Sequence, residues 1–73
     1  MIPTHRVSIQ LPAGCTNEEQ FSRQIYRECF SPDETARGPV RDGKMYFVVS
    51  GEPDEPLMKK LRKYGTVDCE EIT

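Results

Sequence analysis

The chain is short of the residues from which catalytic and metal sites are usually built. It holds one histidine, His5, and three cysteines, Cys15, Cys29 and Cys69. A structural zinc site needs four ligands, commonly with closely spaced cysteine pairs. Here the cysteines stand 14 and 40 positions apart, with a single histidine to help. An odd cysteine count also argues against a disulfide framework, so the thiols read as reduced, as in a cytoplasmic protein. No glycine-rich phosphate loop is present. No stretch approaches the ~18 apolar residues of a membrane-spanning helix. The opening "MIPTHRVSIQLP" lacks a basic region followed by an apolar run, and so does not read as a secretory leader.

The remaining candidates for catalysis fare no better. His5 begins a strand beside Pro3 and Arg6 and reads as a surface residue, not a general base. Cys15 precedes a helix start, which would lower its pKa, but no matching base accompanies it. Cys29 and Cys69 read as small core hydrophobes. The acidic runs "PDE" at 32–34 and "EPDE" at 52–55 lack the spacing that turns several carboxylates inward, and read as solvated loops. The expectation is a non-enzymatic protein with no cofactor, no metal and no membrane.

Seventy-three residues, 36% hydrophobic and 30% charged, predict a single globular domain over 1–73. Such a chain can bury one sheet face and two helix stripes, with little volume left for a deep cavity. "HRVSIQL" alternates Val7, Ile9 and Leu11 against Arg6, Ser8 and Gln10, which is the period of a half-buried strand. In "TNEEQFSRQIYRECFSP", Phe21, Ile25 and Cys29 recur every four residues, with Tyr26 and Phe30 widening the stripe. Thr16 and Glu19 have the spacing of a capping box, and Pro32 ends the helix.

"SPDETARGPVRDG" reads as a loop, with Val40 and Arg41 at most a short strand before the Asp42–Gly43 turn. "KMYFVVS" is the strongest strand, with the composition of a central one. A second helix follows over 55–65, with Asp54 as N-cap, Pro56 in its first turn and Gly65 as its stop. "TVDCEEI" closes as a strand. The order β-α-β-α-β predicts an α+β two-layer sandwich, a mixed sheet of three to four strands with two helices on one face.

Charge is the feature left over. The net charge is −2 and the pI about 5.3, yet seven of the ten Lys and Arg residues lie between Arg37 and Lys63. In "EPLMKKLRKYG", helical spacing puts Leu57, Met58, Leu61 and Tyr64 on one arc. Lys59, Arg62 and Lys63 take the opposite arc, with Lys60 at its edge. Glu55 is placed to pair with Lys59. Cations near a helix C-terminus compensate its dipole, which is a structural reason for the cluster. The alternative is an electrostatic binding face. Its candidate contacts are Arg23, Arg27, Lys59, Lys60, Arg62 and Lys63, with Tyr26, Tyr46 and Tyr64 as aromatic anchors. The partner would be an acidic protein. Nucleic acid contacted through the basic helix 55–65 is the runner-up, unsupported by any helix-turn-helix, zinc-finger, RNP or GxxG signature. A toxin-neutralising or anti-restriction protein, which would use its acidic residues, is a third reading.

As a whole chain, and most of all in "MIPTHRVSIQLP" and "MKKLRKYG", the sequence resembles the small phage-encoded inhibitors of host bacterial RNA polymerase. That resemblance implies a protein of the host bacterial cytoplasm that binds the polymerase; a monomer is expected. It would interfere with promoter recognition by the sigma factor, permit antitermination, and carry out no chemistry of its own. No motif transfers contact residues from that family to this chain.

Overall fold

The computed structural model describes residues 2–72, which form a β-α-β-β-α-β chain. Its elements are β1 (His5–Gln10), α1 (Glu18–Cys29), β2 (Thr35–Arg41), β3 (Lys44–Val49), α2 (Glu55–Leu61) and β4 (Val67–Glu71). The four strands make one sheet in the order β2-β3-β1-β4, with every neighbouring pair antiparallel. The two-layer α+β fold is the one expected. The sheet is not mixed, because each helix crossover skips a position. β1 and β2 run the same way, but the β2–β3 hairpin folds back and inserts β3 between them. β1 separates β3 from β4 in the same manner. This is the split β-α-β arrangement.

Alternation decides which face is buried. Val7 and Ile9 of β1 and Met45, Phe47 and Val49 of β3 point towards the helices and are buried. Ile25 and Leu61 close the core from above, and Phe47 is its largest fully buried side chain. The Phe30 ring stacks on Phe47 at 4.6 Å between centroids, and the Tyr26 ring lies parallel at 6.3 Å. Tyr26 is therefore a core residue and not a free anchor. Its hydroxyl donates to the Thr35 carbonyl at 2.8 Å.

Four local expectations are corrected. First, β2 spans seven residues where the sequence reads as a loop. Its Gly38–Pro39 step sits in a bulge between Arg37 and Val40, tolerated because β2 is an edge strand whose outer side demands no donor. Asp42 and Gly43 then turn the hairpin with φ of 54° and 73°, the left-handed pair that a tight two-residue hairpin requires.

Second, the N-cap of α1 is Asn17 and not Thr16. The Asn17 Oδ1 accepts from the Gln20 amide at 3.4 Å, and its Nδ2 donates to the Gln20 Oε1 at 2.6 Å. The return contact thus runs side chain to side chain and not to the backbone as in a capping box. Asn17→Ala is accordingly expected to lower stability by about 0.5–1 kcal/mol. Thr16→Ala should change it by less than about 0.5 kcal/mol. Thermal unfolding of the two variants checks this, and the reverse order would restore Thr16 as the cap.

Third, α2 ends at Leu61, and Arg62–Gly65 form a turn closed by Lys63 and Tyr64 amides donating to Lys60 and Leu61 carbonyls. Its start is as expected, with the Asp54 carboxylate accepting from the Leu57 amide at 3.0 Å and Pro56 in the first turn. Fourth, Cys69 is exposed. It shares the helix-side face of β4 with Val67, but that edge runs out beyond the cover of the helices. Cys29 packs half-buried against the core.

Candidate functional site

The residues singled out from sequence fall on three separate surfaces. Arg23 and Arg27 lie on the outer face of α1, both exposed. The flank of α1 that meets the second helix carries Phe21 and Glu28. Phe21 packs edge-on against Tyr64 with ring centroids 6.0 Å apart. Glu28 accepts from the Tyr64 hydroxyl at 3.4 Å, and its carbonyl accepts from Lys60 Nζ at 3.3 Å. At about 100° per residue, Arg27 is turned a quarter-circle or more from Glu28, and Arg23 further still. The arginines of α1 thus point away from the lysines of α2.

The second surface is α2 with its following turn. Arg62 does not stand free, since it pairs with Glu55 at 2.6 Å across seven positions. Glu55 was expected to pair with Lys59, but Arg62 takes the carboxylate instead. Arg62 keeps helical geometry, its amide donating to the Met58 carbonyl, and stands seven positions on along the same face. Lys60 is held towards α1. Among the described residues Lys59 and Lys63, both exposed, have no ion-pair partner. Tyr64 is half-buried, one edge against Phe21. Burial pushes its hydroxyl pKa up, helped by Cys29 and by the charge of the hydrogen-bonded Glu28.

The third surface is the open face of the sheet, opposite the helices. Alternation turns Arg6, Ser8, Lys44, Tyr46, Val48, Asp68 and Glu70 to this side. Arg6 is its centre. Its guanidinium lies 5.5 Å from the centroid of the Tyr46 ring, and its Nη2 pairs with the Glu70 carboxylate. A groove of about 400 Å³ at this cluster is lined by Arg6, Tyr46 and Glu70 together with Ser8, Lys44 and Asp68. Tyr46 therefore cannot join Lys59 and Lys63 in one contact, because the sheet separates them. Sequence reading placed Arg6 on the polar side of its strand but could not give it partners, since Tyr46 and Glu70 reach it only through strand pairing.

Among the described residues the cysteines have no histidine or carboxylate hydrogen-bonded to them. Burial pushes the Cys29 thiol up, with Glu28 adding to the shift and Lys60 opposing it. Cys69 is raised by desolvation and by Glu52 and Glu70. Both shifts favour the thiol over the nucleophilic thiolate. A cavity of about 290 Å³ between the end of α1 and the β3–α2 loop is floored by Phe30, Val49 and Leu57 and rimmed by Glu34, Glu52 and Asp54. Among the described residues no group of three His, Cys, Asp or Glu side chains is placed to hold a metal ion. No described helix is long and apolar enough to cross a membrane.

No protein-family model, no curated protein and no solved structure matches the chain.

Proposed function

We propose that the protein is a non-enzymatic regulator that docks on an acidic protein surface through the cationic end of α2. The partner implied by the whole-chain resemblance is bacterial RNA polymerase, with interference at sigma-factor and promoter recognition as the consequence. The observation that carries this reading is the free, exposed pair Lys59 and Lys63 beside the half-buried Tyr64. Lys59 lies on α2 and Lys63 on the turn after it, and the Nζ of Lys60 bonds only the Glu28 carbonyl. These are three cations without an ion-pair partner among the described residues, enough to raise the association rate and set orientation on an acidic partner. They are few for a nucleic-acid track, where several phosphates must be neutralised. That count favours protein over nucleic acid at this surface.

The test uses purified RNA polymerase holoenzyme, nuclease-treated, with the protein immobilised. The double variant Lys59→Glu/Lys63→Glu should bind about tenfold more weakly, mainly through slower association, with its unfolding transition unchanged. It should also lose inhibition of promoter-dependent initiation in a purified system. Absence of any complex between the wild-type protein and holoenzyme removes the polymerase reading. Undiminished binding of the double variant removes the assigned surface.

A further inference from the structure

The two edges of the sheet are built differently. The β2 edge carries Pro39 and a bulge, and Gly38 is pressed so close to Tyr46 that an added Cβ would stand 3.0 Å from the Tyr46 carbonyl oxygen. Bulges and prolines are devices that stop an edge from recruiting another strand. β4 has neither. It runs in unbroken register with β1 from Ile9↔Val67 to His5↔Glu71, and among the described residues no strand flanks its outer side.

The ladder shows which groups face outward. The Gln10 amide donates to the Thr66 carbonyl and the Ile72 amide to the Thr4 carbonyl, each at 2.9 Å. Antiparallel pairing alternates with period two. Asp68 and Glu70 therefore direct their backbone groups towards β1, while Val67, Cys69 and Glu71 direct theirs away from the sheet. Those three N–H and C=O pairs form a ready template.

The side chains specify what would fit it. On the open face β4 presents the carboxylates of Asp68 and Glu70. On the helix side it presents Val67 and the exposed Cys69, with Glu71 at the end. Pairing with a second copy of β4 would set acidic residues against acidic residues, which is unfavourable directly across strands. We propose that the outer edge of β4 takes up an extended segment of a partner protein in which basic and apolar residues alternate, added as a fifth strand. The basic side chains lie over Asp68, which has no ion-pair partner among the described residues, and beside Glu70, which already pairs with Arg6. The apolar ones pack beside Val67 and Cys69. This edge is distinct from the α2 surface and stands or falls separately from it.

The test titrates the isotopically labelled full chain with a short blocked peptide of alternating lysine and valine. The amides of Val67, Cys69 and Glu71 should shift, and their hydrogen exchange should slow by at least about tenfold. A peptide with glutamate in place of lysine should leave them unchanged. Cys69→Pro deletes one outward donor without touching the β1 ladder, so it should keep the fold and abolish the effect. Should that variant not fold, Asp68→Lys keeps every amide and sets a like charge against the peptide's lysines, so it should weaken binding about fivefold. Shifts confined to α2 or to the open sheet face would overturn the proposal. So would equal binding of the glutamate peptide, or undiminished binding by a folded Cys69→Pro or by the lysine variant.

Discussion

Phe47→Ala is expected to cost about 3–5 kcal/mol, the usual range for deleting a fully buried phenylalanine. At ~0.05–0.15 kcal/mol per residue, a domain of this length has total stability on the order of 4–11 kcal/mol. One substitution would therefore remove about a quarter of it at least, and near the lower bound the variant would be largely unfolded. The size of the effect follows from the position. Phe47 is fully buried on a central strand, hydrogen-bonded through β1 on one side and β2 on the other. Its ring is covered by Phe30 and Tyr26 from the end of α1. Losing it opens a void that neither strand can close, and it also frees the Tyr26 ring that ties α1 to the Thr35 carbonyl. Phe47→Leu retains most of the volume and should cost less than about 1.5–2 kcal/mol. Urea unfolding followed by circular dichroism measures both. A loss below about 1 kcal/mol for Phe47→Ala would mean that the core collapses freely around the site, against the packing described.

What was legible in the sequence was local. The stripe of α1, the hydrophobic run of β3, the Asp42–Gly43 turn and the Asp54 cap each rest on residues within a turn or two of one another, where propensity and spacing act directly. What was not legible depends on partners far along the chain. β2 looked like a loop because Gly38 and Pro39 are poor strand residues, and nothing within the segment says that it will be a bulged edge. The cap moved from Thr16 to Asn17 because both positions offer an acceptor and only packing of α1 on the sheet selects between them. Cys69 has a buried residue's spacing but lies where the helices no longer reach.

The candidate site divides in the same way. The cations could be read off, but their grouping could not. Arg62 is neutralised by Glu55 seven positions back on the same helix face, and Arg37 is tied to Glu19 of α1 at 2.7 Å. Tyr46 is removed to the other side of the sheet. Charge in sequence thus overstates charge available to a partner, leaving Lys59 and Lys63 on one surface and Arg23 and Arg27 on another.

Gly65 gives the second large effect. Sequence spacing made it the stop of the second helix, but that helix ends four residues earlier, so the glycine is needed for a different reason. A Cβ at position 65 would fall inside van der Waals contact of the Gln10 carbonyl oxygen and within 3.4 Å of its carbon. Both are backbone atoms of β1, and β1 cannot retreat. Gln10 donates to Thr66 at 2.9 Å and is paired with Lys44, and the adjacent Leu11 amide donates to Gly43 at 2.8 Å. The strain must therefore open the start of β4. Gly65→Ala is expected to destabilise by about 1–3 kcal/mol, the range for forcing extra atoms into a packed site. The Gln10 amide, which bonds the Thr66 carbonyl, should lose its exchange protection before the amides of the β2–β3 pairing do. Gly51→Ala is the control. It faces open space at a φ of 93°, so its cost is backbone strain in the loop before α2 and leaves Gln10 protected. If Gly65→Ala keeps both stability and Gln10 protection, β4 is not seated on β1 through this close approach. A shifted β4 would also turn different amides to its outer edge, so the same measurement tests whether Val67, Cys69 and Glu71 are the groups presented there.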